Sequence, residues 1–182
     1  MKKASSIFLR NEICPRDVEA MIGWMDNPKV TKYLNEDPAL KYALKDLLRN
    51  VPAPLLTFRF NGFGKFFIVC LNKNQAIGFV KLKEIECGIY EIVYVIGDES
   101  LWGHGYGESA LSSALTTAFC TLRAKKVVAK IYPENSRSIR AALSCGFICR
   151  RPEGRLHLYS IRADEFFERS TSLHKLENHP VP

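Results

Sequence analysis

The sequence predicts a mixed α/β (α+β) fold, with a mostly antiparallel sheet flanked by helices. Two observations carry this expectation. Apolar runs rich in Phe, Ile and Val occupy much of residues 65–96 and are separated only by short turns. The apolar period then becomes helical over 108–122 and returns to strand at 126–132, which makes a strand–helix–strand crossover. A chain of 182 residues, 47% apolar and 25% charged, is about one domain's worth and can build one core.

Each element follows from local chemistry. Residues 6–10 read as an edge strand. Pro15 stands at a helix start, with Val18, Met21, Ile22 and Met25 after it at helical spacing. Pro28 and Pro38 interrupt the stretch up to residue 48, so two or three short helices are expected there. Residues 51–56 contain two prolines and read as a loop. Residues 65–71 and 76–83 read as strands joined by an Asn72-Lys73-Asn74 turn, and 89–96 as a third strand. Ala110, Leu111, Ala114, Leu115, Ala118, Phe119 and Leu122 then line one face of a helix of roughly four turns. Strand 126–132 and helix 136–144 follow, and Gly146 is placed to end that helix in a left-handed conformation. Residues 156–162 alternate as a last strand. One domain is expected over 1–169, with 170–182 as a flexible tail.

Composition narrows the function classes. The longest apolar run, residues 66–71, falls far short of the ~20 residues that span a bilayer. Met1-Lys2-Lys3 resembles the start of a secretion signal, but Arg10 interrupts the apolar stretch after it, so a cytoplasmic location and no membrane partner are expected. The net charge of +7 points to anionic partners: nucleic acid, a phosphorylated cofactor or an acidic protein surface. Six cysteines without a Cys-x-x-Cys pair and four scattered histidines give no metal site, and the thiols read as buried and free.

The most informative stretch is Trp102-Gly103-His104-Gly105-Tyr106-Gly107-Glu108, between a strand and the long helix. Alternating glycines let successive N–H groups face a ligand without a Cβ in the way, and the helix start adds further free N–H groups. Such a site suits phosphate or pyrophosphate. It lacks the Gly-Lys-Ser/Thr ending of a P-loop and the G-x-G-x-x-G spacing of a dinucleotide fold.

With Asn135-x-x-Ser138 and Gly146-Phe147 downstream, this stretch resembles the acyl-CoA N-acyltransferase (GNAT) superfamily. Leu9-Arg10, Asp17, Trp24 and Asp26-Asn27-Pro28 make the chain most similar to the branch that acetylates N-termini of ribosomal proteins. The resemblance implies a splayed sheet and acetyl-CoA as cosubstrate. It places the backbone of Val95, Ile96 and Gly97 against the pantetheine arm. Gly103, His104, Gly105, Tyr106, Gly107 and Glu108 would hold the pyrophosphate. Asn135 would bond the cofactor arm or simply cap its helix, and Arg137, Arg140, Arg150 and Arg151 could reach the nucleotide phosphates.

The implied reaction is direct attack of a primary amine, from a protein N-terminus or a small molecule, on the thioester. An N–H near Val95 is the expected oxyanion donor. Superfamily members often carry a tyrosine acid seven residues after the asparagine, where this chain has Ala142, so Ser138 becomes the candidate donor. Glu91 is the candidate base, with Tyr94 and His104 behind it. Against these stand ordinary readings: Glu91 as a solvated strand residue, Ser138 as a partner of its own backbone. The acceptor pocket is expected from residues 24–34, the 52–63 loop and the last strands. Two alternatives stay open: a basic RNA-binding module, suggested by residues 123–130, and a transferase fold that binds CoA without catalysis. Nucleic acid is the less expected partner, and oligomeric state is not legible, a homodimer being compatible.

Overall fold

In the computed structural model, which describes residues 7–177 apart from Glu36, Pro38, Phe63, Lys73 and Asn74, seven described strands form one sheet. They are β1 (Phe8–Arg10), β2 (Lys65–Asn72), β3 (Gln75–Glu86), β4 (Ile89–Ile96), β5 (Lys126–Ile131), β6 (Ile148–Glu153) and β7 (Leu156–Arg162). Their order is β1-β2-β3-β4-β5-β7-β6, antiparallel except for the parallel pair β4–β5. The expected mixed sheet is present. Of the Asn72-Lys73-Asn74 turn, Lys73 and Asn74 lie outside the described residues, while Asn72 pairs with Gln75.

The two faces of the sheet carry separate cores. Helices α1 (Pro15–Met25), α2 (Pro28–Thr31), α3 (Leu40–Asn50) and α4 (Leu56–Asn61) cover the first face. There Val18, Met21, Leu44 and Leu56 pack with Ile68, Phe79 and Val95. Helices α5 (Tyr106–Thr116), α6 (Ser136–Ser144) and α7 (Ala163–Glu177) belong to the second. Ala110, Leu111, Ala114 and Leu115 of α5 pack there with Val80, Leu82, Ile92 and Val127. Burying each large aliphatic side chain contributes about 1.5–3 kcal/mol, and strand alternation sends Ile68 and Val69 to opposite cores.

The branch-like residues near the start have structural jobs. Asp17 accepts hydrogen bonds from Arg10 Nη2 (2.7 Å) and the Cys14 N–H (2.8 Å), fastening β1 to the first turn of α1. Asn27 caps α2 by accepting from the Lys29 N–H at 3.0 Å.

Several expectations need correction. Residues 51–56 are not simply a loop: a 3-10 turn at Ala53–Leu55 leads into α4, with the prolines at its start where a missing N–H costs nothing. Strand β6 was not legible, because its exposed residues show no apolar alternation, and Pro152 suits an edge strand. Residues 170–177 are not a tail but the second half of α7, which Phe166 anchors against Phe119 with ring centroids 4.9 Å apart. Residues 178–182 lie outside the described part. The six thiols are free, but only Cys70 is buried; Cys87, Cys120 and Cys149 are exposed. Gly146 has the expected positive φ, +92°, and its N–H donates to the Leu143 carbonyl.

Candidate active site

The site begins where the sheet opens. Strands β4 and β5 pair only through Ile89–Lys126, Tyr90–Val127 and Glu91–Val128. Beyond Glu91, β4 stays bonded to β3 as far as Gly78–Ile96, and β5 stays bonded to β7 as far as Ile131–His157. Each central strand follows its outer neighbour, so the two diverge around a cleft of about 380 Å³. This is the expected splay.

The backbone on the open side can be assigned. Gly97 donates its N–H to the Ile77 carbonyl at 2.8 Å. In the unbroken register that precedes it, every second residue repeats that bonding, so Val95 and Val93 direct their N–H groups at β3. Tyr94 and Ile96 therefore turn theirs toward the cleft, while the Ile92 N–H faces Val128 in the last rung of the β4–β5 ladder. Trp102 Nε1 donates to the Ile96 carbonyl at 2.7 Å, which occupies that acceptor, and the Tyr94 N–H lies further into the opening. Val95 lines the cleft with its own N–H committed to the ladder, so the open N–H next to it belongs to Tyr94. Gly97 does not line the cleft: a Cβ there would lie 2.1 Å from the Trp24 ring, so glycine is needed for that close approach.

The glycine stretch closes one end. Gly103 and Gly105 have φ of +81° and +82°, and Gly105 is the left-handed cap of α5. A Cβ on Gly103 would meet nothing within 4 Å, so its glycine answers to backbone conformation and leaves open space for a ligand. Gly103, Gly105, Tyr106, Gly107 and Glu108 line the cleft. His104 does not; its Nδ1 lies 3.0 Å from the Trp102 carbonyl on the exposed side.

Gly107 differs from its neighbours. It lies within α5, and a Cβ there would sit 3.9 Å from Ile96 Cγ1 and Tyr94 Cε2, an ordinary contact. Replacing a helical glycine by alanine gains about 0.5–1 kcal/mol, so Gly107→Ala is expected to raise the melting temperature by ~1–4 °C in a thermal melt.

Helix α6 forms the opposite wall. Asn135 Oδ1 accepts from the Ser138 N–H at 3.3 Å, so Asn135 caps the helix and also lines the cleft. Tyr94 reaches across from β4 and donates its hydroxyl to the Ser138 carbonyl at 3.0 Å. Burial pushes the Tyr94 phenol well above its ordinary range, so its proton stays on. Ala142 is fully buried in the second core. The wall along α6 thus carries two hydroxyls, that of Ser138 on α6 itself and that of Tyr94 from β4.

Arg137 stacks its guanidinium over Trp102, 3.6 Å from the ring centroid, and lines the cleft with Arg140. Arg150 instead bonds Glu165 and Ser160, both at 2.9 Å, and neither it nor Arg151 lines the cleft. Those two expectations fail because β6 is at the far edge of the sheet.

On the α1–α4 side the cleft is lined by Glu91 and Val93 of β4, Lys130 of β5, and Lys29, Tyr33 and Asn35 around α2. Glu91 stands opposite Lys83 on β3. Lys29 pairs with Glu99, and Lys130 with Glu153, each at 2.9 Å. The hydrogen bond with Glu153, helped by Glu91, holds the Lys130 ammonium above its ordinary range. Lys29, Val30, Tyr33 and Leu34 fall within the 24–34 stretch expected to border the acceptor, whereas sequence reasoning missed Lys130. It also placed part of the pocket at 52–63 and the last strands, whereas the described lining residues come from α2, the segment after it and β5.

A sheet opened between two parallel central strands, with a glycine-rich turn and a helix N-terminus at the opening, is the architecture of acyl-coenzyme-A-dependent transferases. The chain belongs to the acetyltransferase (GNAT) domain family, whose model matches residues 7–148. It is 28% identical over 146 residues to an uncharacterized N-acetyltransferase, p20, of Bacillus licheniformis, covering 79% of this chain and 78% of that one. Among solved structures it resembles a GNAT-family acetyltransferase from Bacillus anthracis (TM-score 0.69, 20% identity, 89% and 98% of the two chains). It also resembles an aminoglycoside acetyltransferase in complex with coenzyme A (TM-score 0.72, 16% identity, 91% and 99%). A third similar structure is the spermidine N-acetyltransferase of Vibrio cholerae with CoA and spermine (TM-score 0.69, 19% identity, 90% and 99%).

The protein is accordingly an acetyl-CoA-dependent acetyltransferase. The open β4 amides and the glycine cradle fit an extended, phosphorylated cosubstrate. Family membership displaces the RNA-binding alternative; most of residues 123–130 form β5 and the turn before it, with Val127, Val128 and Ala129 buried. Among the described residues no helix is long and apolar enough to cross a membrane, and no group of three or more His, Cys, Asp or Glu could hold a metal ion.

Proposed function

We propose that the chain N-acetylates the amine of a peptide N-terminus or a small molecule by direct attack within the β4–β5 opening. The observation that carries this reading is the opening itself: a cradle at one end and Glu91 where strand pairing stops. Bound acetyl-CoA supplies an activated acetyl group as a thioester. Gly103, Gly105, Tyr106, Gly107 and Glu108 bind its pyrophosphate through backbone N–H groups and the α5 dipole. Asn135 keeps its capping bond and borders the cofactor arm.

The proton traffic falls to three side chains. Glu91 takes the amine's proton, directly or through a water. The Tyr94 N–H stabilises the charge that builds on the thioester oxygen, a role worth about 10²–10³ in rate in other oxyanion holes. The Tyr94 hydroxyl, together with Ser138 Oγ, protonates the departing thiolate, the task that Ala142 cannot perform. All of this lies in one domain, for which the resemblance to the ribosomal-protein branch favours a protein N-terminus as acceptor.

Acetyl-CoA is expected to raise the melting temperature. A ligand at 100 times its Kd adds about 2.7 kcal/mol, or ~5–11 °C for a chain of this size. Magnesium and zinc are expected to change nothing. No shift at millimolar acetyl-CoA overturns the proposal.

A further inference from the structure

We infer that the acceptor carries an anionic group close to its reacting amine, as an acidic peptide N-terminus or an acidic amino acid does. The inference rests on the transfer reading above and names the substrate class for that site.

The charges on the acceptor side select against a polycation. Among the described residues, Glu91 is the one carboxylate that lines the α2 side of the cleft, and Lys29 and Lys130 line it as well. The other lining carboxylate, Glu108, sits on α5 at the cradle. A polyamine or an aminoglycoside brings several ammonium groups into the cleft and needs several acids to receive them. Here the first ammonium meets Glu91, and the next meets two lysines. Bringing like charges together in a partly dehydrated cleft is costly, and such juxtapositions exclude wrong partners.

The same lysines suit an anion. Their acidic partners, Glu99 and Glu153, do not line the cleft, so each pair is made on its outer side. An ammonium has three donors, and one carboxylate contact leaves others for a ligand. The Lys29 side chain is 70% exposed, so its pair with Glu99 is weak and exchangeable. Tyr33 and Asn35 add neutral hydrogen-bonding groups suited to peptide amides, and Val30, Leu34 and Val93 add apolar contact. One acid for one amine, with two cations beside it, matches an acceptor that is zwitterionic at the reacting end.

The test is a competition among amines with acetyl-CoA and the full chain. Free-amine hexapeptides in acidic, neutral and basic versions, spermidine and kanamycin are supplied at equal concentration. CoA release and product mass are measured. The acidic peptide is expected to exceed the basic one by about tenfold or more in kcat/KM, the worth of one good ion pair. Lys130→Gln is expected to shrink that ratio and Lys130→Glu to invert it; Lys29→Gln gives an independent second reduction. If spermidine, kanamycin or the basic peptide reacts as well as the acidic one, the acceptor inference is overturned and the transfer reading stands. If no amine is acetylated although acetyl-CoA still raises the melting temperature, the transfer reading fails and takes this inference with it.

Discussion

Gly105→Val is expected to abolish acetyl-CoA binding while leaving a folded protein. Gly105 caps α5 at φ +82°, a conformation that a β-branched residue does not adopt without strain. The strain amounts to about 1–3 kcal/mol and falls on an exposed turn, so the core packing of α5 is retained. The ligand suffers more, because valine tilts the peptide groups on either side and puts a branched side chain into the cradle. An N–H hydrogen bond to a charged group is worth about 1.5–3 kcal/mol, so losing two weakens binding at least ~100-fold. Calorimetric titration with acetyl-CoA reads the affinity directly, and circular dichroism checks the fold. Gly105→Ala, with less bulk but the same positive φ, is expected to fall between. Wild-type affinity in the valine variant would show that the phosphates are bound elsewhere.

The second large effect concerns proton transfer. Glu91→Gln is expected to lower kcat by ~10²-fold or more, and Tyr94→Phe and Ser138→Ala by ~10–10²-fold, with acetyl-CoA affinity barely changed. Thiolate is a better leaving group than alkoxide, which places the two hydroxyl variants at the lower end. Glu91→Gln keeps the size of the side chain and removes the proton acceptor, so its effect reads the base alone. Tyr94 acts protonated, and burial holds its phenol above the usual ~10, so this group causes no loss of rate below that pH. Tyr94→Phe keeps the ring that packs in the second core, so its effect reads the hydroxyl alone. Full activity in all three variants would transfer the proton work to water.

The sequence was most legible where apolar period and punctuation agreed. Strand Ile89–Ile96, helix Ser136–Ser144 and strand Leu156–Arg162 run as their patterns indicate, because each buries a regular face. Strand β6 and helix α7 escaped for opposite reasons. The first is an exposed edge with no burial to impose alternation, and the second is held by an aromatic cluster near its start and by polar bonds of Glu165 and Arg169 that leave no apolar period. The cradle was readable because positive φ demands glycine, and glycine shows in sequence. Other site features depend on register. Which of Tyr94 or Val95 offers its N–H, and that the Tyr94 hydroxyl lands beside Ser138, follow from how β3 and β4 align and how far β4 diverges from β5. Lys130 was invisible for a similar reason: it joins the lining that Lys29 shares only because β5 diverges from β4.

That opening gives the sheet something most sheets lack, an edge in its interior. A row of unpaired strand amides is ordinarily a hazard, since any passing extended chain can add to it and seed aggregation. Outer edges are defended by charge, proline and brevity; here β6 carries Arg150-Arg151-Pro152 and β1 is three residues long. The interior edge is defended by position instead. It lies recessed between two layers, with one carbonyl stoppered by the Trp102 indole and lysines at its rim. The feature that would make a flat protein sticky thus becomes a gate that admits one kind of guest.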